Sequence, residues 1–233
     1  MNIKDIIKEE NAKFLTSIQT SKQERFVKIE LADFEELFLV FAKQELVKRG
    51  KFQDYSITRE IENLLKQMYC YLTGNEKEFK GDLYKSIAII GDYGTGKTIF
   101  ATAFYKVYMA LKELDPKIYH AKTFVENLKI NLINKADDIE ETSLIENYKN
   151  KPILLDDVGK EAPEIKVFGS VLRPFIDLIA TRYERNKFMV FTSNFKVDNG
   201  LLNIYDNATN ERLFEMFNFF ELNETNFRRK KSK

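Results

Sequence analysis

The glycine-rich segment from Gly91 to Thr98 constrains the fold of this chain more than any other feature of its sequence. It reads Gly-Asp-Tyr-Gly-Thr-Gly-Lys-Thr, with a short apolar run (86–90) before it and a helix-compatible stretch (99–111) after it. Glycines let the backbone wrap closely enough for successive N–H groups to point at phosphate oxygens, and the positive end of the following helix adds to that attraction. A G-x-x-x-x-G-K-[ST] pattern between a strand and a helix therefore predicts a phosphate-binding loop.

Two side chains of this segment carry most of its expected chemistry. Lys97 supplies a mobile positive charge for the β- and γ-phosphates, and the Thr98 hydroxyl can bind Mg²⁺. The alternative is a glycine-rich turn with an exposed lysine, which the flanking strand and helix argue against. The residues expected to contact the nucleotide are Gly91, Asp92, Tyr93, Gly94, Thr95, Gly96, Lys97, Thr98 and Ile99.

A pair of adjacent carboxylates, Asp156 and Asp157, follows the apolar run 152–155. Ligands of open parallel sheets bind outside the carboxyl ends of the strands, so this position suits a nucleotide site. Adjacent strand residues point in opposite directions, and we therefore expect only one of the pair to face the metal. Asp156 is expected to hold Mg²⁺ through its water shell, and Asp157 to accept a proton from the attacking water. A turn cap before Gly159 is the alternative.

Two further polar residues are candidates for the reaction. Asn194 ends the next apolar strand, where its amide could position water against the γ-phosphate, whereas Thr192 and Ser193 could merely terminate the strand. Arg212 lies in a stretch of helical spacing, on a different face from its apolar residues. Its guanidinium could reach the phosphate site of a neighbouring subunit and stabilise the transferring phosphoryl group, or it could pair with an acidic neighbour on the surface.

The sequence divides near residue 84 into two regions with different hydrophobic patterns. In residues 1–84, apolar residues recur at three-to-four spacing over 34–46 and 61–72, which predicts helices that stop at Gly50 and Gly74. No chemical motif appears there, so we interpret this region as a helical module for packing or partner docking. From residue 85 short apolar runs alternate with helix-like stretches, which predicts an α/β domain with a parallel sheet covered on both faces. The expected strands are 86–90, 117–121, 152–155, 187–192 and 217–222.

The composition excludes several classes of protein. Thirty-seven Lys and Arg against thirty-six Asp and Glu give a net charge of +1, so any contact with DNA must be local. One cysteine, Cys70, and one histidine, His120, exclude a disulfide framework within the chain and a structural zinc site, and favour a cytoplasmic setting. The apolar runs are too short to span a membrane, and residues 1–20 carry charges where a signal peptide is apolar.

The motifs together resemble the DnaC/IstB-like branch of AAA+ ATPases, which are helicase loaders and transposition helper ATPases. The resemblance covers residues 85–229 and rests on five segments. They are Gly91–Thr98, ILLDDVG at 153–159, IATRYERNKFMVFTSN at 179–194, ERL at 211–213 and FELNETNFR at 220–228. It implies a P-loop NTPase fold in which 91–98 is Walker A, Asp156 and Asp157 are Walker B, Asn194 is sensor 1 and Arg212 is a trans-acting arginine finger.

The sequence lacks three features that occur in many AAA+ proteins or in parts of this family. Eleven residues follow Leu222, too few for a helical lid, and this branch commonly lacks one. Ala208 stands where the family often has an arginine, so the finger could be displaced. The single cysteine implies a metal-free helical N-terminal region in place of the zinc-binding domain of some loaders.

The function that the resemblance implies is replicative helicase loading, driven by ATP and Mg²⁺. The chain is expected to form a homo-oligomer when ATP is bound and to act on single-stranded DNA, with residues 1–84 docking a helicase or a transposase. Lys160, Lys166 and the basic end, with 230–233 as its tail, are candidates for DNA contact or are solvated charges. The alternatives are a transposition helper ATPase, a P-loop small-molecule kinase and a nucleotide-dependent scaffold that does not hydrolyse ATP.

Overall fold

The computed structural model describes residues 25–134, 148–196, 200–223 and 227, together with residues 8, 10, 11 and 13. The helices of the described part are α1 Leu31–Lys48, α2 Arg59–Thr73, α3 Lys97–Leu111, α4 Ala121–Asn134, α5 Pro174–Glu184, α6 Leu202–Ile204 and α7 Asn207–Met216. Its strands are β1 Ser86–Ile90, β2 Ile118–His120, β3 Ile153–Val158, β4 Ile165–Val167, β5 Ser170–Leu172, β6 Met189–Ser193 and β7 Phe217–Glu221.

Five strands form one parallel sheet in the order β2-β3-β6-β1-β7. Every residue of β1 and β6 is buried, as strands covered on both faces must be. The prediction of an α/β fold with a parallel sheet flanked by helices is confirmed. Because parallel strands end at the same edge, the segments that follow β1, β3 and β6 are brought side by side.

The two faces of the sheet have separate hydrophobic cores. Along β1, Ile87 and Ile89 join the core formed with α1, α2 and α3, whereas Ala88 and Ile90 join the core formed with α4, α5 and α7. This division follows from the alternation of side chains along a strand. The phosphate-loop strand is therefore fixed from both sides.

The N-terminal helices belong to the first of these cores. The rings of Phe38 on α1 and Phe100 on α3 lie 5.1 Å apart, and Lys106 on α3 donates a 2.5 Å hydrogen bond to Glu45 on α1. Gly50 and Gly74 follow α1 and α2 with positive φ, as the helix stops require. Packing is thus continuous across residue 84, and a partner-docking role for 1–84 stays a prediction.

Two features of the sheet region were not predicted from the sequence. Strand β3 continues through both aspartates to Val158, and a small antiparallel hairpin, β4–β5, follows it. The other strands lie within two residues of the expected bounds. The basic tail 230–233 lies outside the described residues. Across the described ranges, no helix has the length and apolar character needed to cross a membrane.

Candidate nucleotide-binding site

The glycine-rich segment forms a tight loop between β1 and α3. Gly91, Gly94 and Gly96 have φ values of 141°, 82° and 93°, a region that side chains strongly disfavour. A Cβ atom on Gly91 would lie 2.3 Å from the Leu222 carbonyl oxygen, so any side chain there would collide with the backbone beyond β7. Since α3 begins at Lys97, the loop presents the free N–H groups of a helix N-terminus, which suits an anion.

The Lys97 ammonium lies inside this loop. Its side chain is buried, and Nζ donates a 2.5 Å hydrogen bond to the Asp92 carbonyl and a weaker one, at 3.5 Å, to the Thr95 hydroxyl. Burial lowers the pKa of Lys97 to about 8, although the nearby carboxylate of Asp157 works against that shift. The lysine charge is therefore held beside the loop carbonyls, at a position where phosphate oxygens could replace them.

A β-bulge shapes the end of β3. Leu155 pairs with Phe191 and Val158 pairs with Ser193, so β3 carries one more residue than β6 between these two pairs. Asp157 lies in the bulge with a φ of 62°, in the left-handed region. The strand alternation expected for the aspartate pair therefore does not apply at this point.

Thr192 on β6 holds the bulge in place. Its hydroxyl donates a 2.6 Å hydrogen bond to the Asp156 carboxylate and accepts one, at 2.9 Å, from the Asp157 backbone N–H. Thr192 is fully buried, so both of these hydrogen bonds are shielded from water. One buried hydroxyl thus fixes the positions of both aspartates.

The bulge lets both carboxylates face the same site. One ligand atom each from Asp156, Asp157 and His120 lies within 4.8 Å of the others. This differs from the expectation that only one aspartate could face a metal, because the extra residue rotates the chain between them. Carboxylate oxygens are the ligands that Mg²⁺ prefers, so the two aspartates of this group suit a divalent cation.

Asp157 has three side-chain partners. Its Oδ1 accepts a 2.7 Å hydrogen bond from the Asn194 amide, and its Oδ2 accepts one of 2.8 Å from Lys160 and lies 3.2 Å from His120 Nε2. Burial opposes ionisation of this carboxyl, but the hydrogen bond from Lys160 leads the effects that outweigh it and lower the pKa of Asp157. The side chain is therefore kept as a carboxylate.

A cavity of about 450 Å³ joins several of these groups, although Asp156 is not among its described lining residues. Its lining residues on the sheet side include Lys97, Thr98, Asp157, Lys160 and Asn194. The facing wall comes from the connection between α1 and α2 and from a C-terminal residue, and it includes Arg49, Lys51, Gln53, Asp54, Tyr55, Ser56 and Phe227. Its volume lies in the range of pockets that hold small ligands and cofactors.

Several of these site residues were not found by sequence reasoning. Thr192 was considered only as a strand terminator, and its position at the end of a buried strand beside the aspartates was the available signal. His120 ends β2, whose neighbour in the sheet is β3, and it pairs in register with Asp156. Nothing in the sequence of the α1–α2 connection signals its place in the cavity wall.

The remaining candidates lie away from this cavity, with one exception. Arg212 on α7 places its guanidinium carbon 5.9 Å from the Tyr183 ring centroid, and it is not among the described lining residues. Lys166 is exposed on β4. Lys160, considered above as a DNA contact, instead lies in the cavity, where its ammonium also sits 4.9 Å from the Tyr93 ring centroid.

Comparisons with known proteins give matches in structure. The sequence matches no protein-family model, and a comparison with curated proteins found no significant match. The DnaC helicase loader is 20% identical, with a TM-score of 0.54 over 72% of this chain and 93% of that one. DnaI is also 20% identical, with a TM-score of 0.50 over 72% and 87% of the two chains. AMPPCP-bound DnaA from Aquifex aeolicus is 19% identical, with a TM-score of 0.52 over 72% and 48%.

At these identities the likeness concerns the fold. The match extends over most of the DnaC and DnaI chains. The chain therefore has the P-loop fold of these solved structures, a parallel sheet flanked by helices, as the resemblance of its motifs implies.

Proposed function

We propose that this chain is an AAA+-type protein that binds and hydrolyses ATP and acts on DNA as a replicative helicase loader. The observation that carries the proposal is the single cavity shared by Lys97, Thr98, Asp157 and Asn194. Asp157 and Asn194 come from the ends of two different strands, and Lys97 and Thr98 begin the helix after the phosphate loop. Such convergence at the carboxyl edge of a parallel sheet is typical of nucleotide sites.

Binding of ATP begins at the phosphate loop. Lys97 exchanges the Asp92 carbonyl for phosphate oxygens, while the loop N–H groups and the α3 terminus hold the remaining charge. Thr98, with Asp156 acting through water, holds the Mg²⁺ that neutralises the phosphates. The AMPPCP in the related DnaA structure supports an adenine nucleotide as the ligand.

Hydrolysis requires an activated water beside the γ-phosphate. Asp157 is the candidate base, and Asn194 holds it and orients the water. Both oxygens of Asp157 already have partners, so one of those contacts must give way to water in the reacting state. Arg212 reaches the phosphate site of a second subunit, which makes the ATP-bound form a homo-oligomer.

The action on DNA rests on the likeness to the DnaC helicase loader. Single-stranded DNA is contacted by basic groups, of which the exposed Lys166 is one and the basic tail 230–233 is another. The helical region 1–84 docks the helicase. Exposed apolar side chains of this region, at Val40, Val47 and Phe52, supply contact surface for a protein partner.

ATP turnover by the purified protein tests the enzymatic part. We expect hydrolysis that single-stranded DNA stimulates, and Lys97→Ala should lose ATP binding because the phosphate charges lose their main counterion. The matched control is Lys122→Ala, which replaces an exposed lysine on α4 and should behave as wild type. Unchanged ATP affinity in Lys97→Ala contradicts the assignment of the loop, and phosphorylation of a small acceptor favours a kinase instead.

Affinity capture with a slowly hydrolysed ATP analogue tests the partner. A replicative helicase should copurify with the wild-type protein and be lost with Lys97→Ala. Capture of a transposase in its place favours the transposition helper, because both activities use the same ATPase core. ATP binding without turnover under any of these conditions would indicate a nucleotide-dependent scaffold.

A further inference from the structure

Two of the described residues beyond β7 contact the phosphate loop. Just after β7, the Leu222 N–H donates a 2.8 Å hydrogen bond to the Ile90 carbonyl, and the Leu222 carbonyl lies against Gly91. Five residues later, the Phe227 N–H donates a 3.0 Å hydrogen bond to the Gly94 carbonyl. The segment therefore contacts the loop at its first glycine and again at its middle.

The Phe227 ring forms part of the cavity wall. It is partly buried against the core that contains α1, α2 and α3, and a Cβ atom on Gly96 would lie 3.8 Å from a carbon of the ring. The same cavity is lined by Lys97 and Tyr55. The Phe227 ring thus provides an aromatic surface beside the anion-binding loop, in the same cavity.

This pairing of surfaces matches the two ends of a nucleotide. The loop N–H groups and Lys97 suit the phosphates, whereas an aromatic side chain suits a nucleobase, on which it can stack or pack edge-on. A Cβ atom on Gly96 would make ordinary van der Waals contact with the ring, so the ring lies beside the loop backbone. Phe227 is in this way placed where the nucleoside meets the phosphates.

We propose that Phe227 is a nucleoside-contacting residue of this site. This proposal rests on the proposed function, in which the cavity binds ATP. It adds that Phe227, which lies beyond the sheet, supplies part of the affinity for the nucleoside. The phosphate loop supplies the affinity for the phosphates and does not depend on the ring.

Equilibrium binding of three ligands to full-length variants tests the proposal. Phe227→Ala should weaken ATP and ADP by roughly tenfold, the effect of losing one aromatic contact with a base, and should change tripolyphosphate affinity by less than about twofold. Phe227→Tyr keeps the aromatic surface and should bind all three ligands as wild type does. The matched control is Phe168→Ala, which removes a phenylalanine that is 82% exposed on the β4–β5 hairpin.

A second measurement reports on the backbone contact. Hydrogen exchange of the Phe227 amide should slow when an ATP analogue binds to the wild-type protein, because the segment is then held against the loop. Thermal unfolding without nucleotide checks that each variant is folded, and Phe227→Leu replaces Phe227→Ala if the alanine variant is unstable. The leucine variant keeps apolar bulk without aromatic stacking and should also weaken ATP.

The outcomes separate failure of this inference from failure of the proposed function. Wild-type ATP affinity in both the alanine and leucine variants overturns the role of Phe227 and leaves the ATPase proposal standing. An equal loss for tripolyphosphate and ATP also overturns it, since the ring would then act through the loop. If the wild-type protein binds tripolyphosphate but not ATP or ADP, or binds none of them, both proposals fall.

Discussion

The side-chain amide of Asn194 donates a 2.7 Å hydrogen bond to the carboxylate of Asp157, joining the end of β6 to the end of β3. The phosphate loop follows β1, the neighbour of β6 on its other side. The ends of three adjacent strands thus place an anion-binding loop, a polar amide and a carboxylate side by side at one edge of the sheet. The sheet order, rather than sequence distance, creates this arrangement, because β6 lies between β3 and β1.

Replacing Asp157 by Asn should stop hydrolysis while ATP binding is retained. The amide has nearly the shape of the carboxylate but cannot accept a proton from water, so the turnover rate should fall by a factor of about 100 or more. Steady-state ATPase assays and equilibrium binding of ATP measure the two effects separately. Asp115→Asn, in an exposed connection, is the control. Normal turnover in Asp157→Asn would place the base elsewhere.

Thr192→Val should damage the site through the bulge. The substitution keeps the shape of the side chain but removes the hydroxyl that serves Asp156 and the Asp157 N–H. The unpaired groups should lower the free energy of unfolding by roughly 1 to 3 kcal/mol. The Mg²⁺ concentration for half-maximal ATPase activity should also rise, because Asp156 loses its orientation.

The control for this experiment is Thr192→Ser, which keeps the hydroxyl. It should retain the Mg²⁺ dependence of the wild type even if loss of the methyl group costs some stability. Denaturant unfolding and Mg²⁺ titrations of activity distinguish the two effects. A valine variant with unchanged Mg²⁺ dependence would show that Thr192 does not position the metal-binding carboxylate.

Mixing two inactive variants tests whether Arg212 acts between subunits. Arg212→Ala keeps an intact phosphate loop, and Lys97→Ala keeps an intact arginine, so a mixed oligomer contains some complete sites. We expect each variant alone to be inactive and the mixture to recover part of the ATPase activity, with a maximum at intermediate ratios. Absence of recovery at every ratio would argue against a trans-acting role.

The ion pair between α1 and α3 should make stability depend on pH. Burial by itself would raise the pKa of Glu45, but hydrogen bonds from Lys106 and Lys48 outweigh it and lower that pKa. The folded protein therefore binds fewer protons at this site than the unfolded chain. Its stabilising effect is complete above the ordinary glutamate pKa of about 4.3 and is lost as the pH falls through the lowered value.

Glu45→Gln should remove this part of the pH dependence. Because the side chains of Glu45 and Lys106 are only 10% and 11% exposed, the unpaired ammonium should cost roughly 3 kcal/mol of unfolding free energy at neutral pH. Glu62→Gln breaks an exposed pair with Lys66 and should cost much less, because solvent screens both charges. Denaturant unfolding between pH 7 and about pH 3 measures both effects. Equal losses for the two variants would contradict the burial argument.

Arg182 is part of a recognisable sequence pattern, and its role in the structure is to hold segments of the fold together. It belongs to the segment 179–194 that contributed to the family resemblance, lies on α5 and is completely buried. Its guanidinium donates to the carbonyls of Tyr148, Lys151 and Phe188. It thereby fixes the segments that lead into β3 and β6. Hydrophobic periodicity could not reveal this, because a charged residue in a helix normally faces water.

The chemistry of the site could be predicted from the sequence where it depends on consecutive residues. Gly91, Gly94, Gly96 and Lys97 lie within one short segment because one loop must wrap one anion, so their spacing is visible directly. The apolar strands before Asp156 and Asn194 were equally visible, because buried strands need unbroken apolar runs. The bulge at Asp157 could not be predicted, since it depends on hydrogen bonds from Thr192, which is distant in sequence.

The sequence by itself determined the phosphate loop, the α/β fold and the residues that end its strands, because each depends on local spacing and on the burial of nearby side chains. Only the tertiary structure decided that both aspartates face one site. It also decided that the α1–α2 connection and Phe227 line the cavity, and that the N-terminal helices share a hydrophobic core with one face of the sheet. Those features come from contacts between segments far apart in the chain. Their geometry is fixed by packing and by buried hydrogen bonds that leave no periodic signal in the sequence.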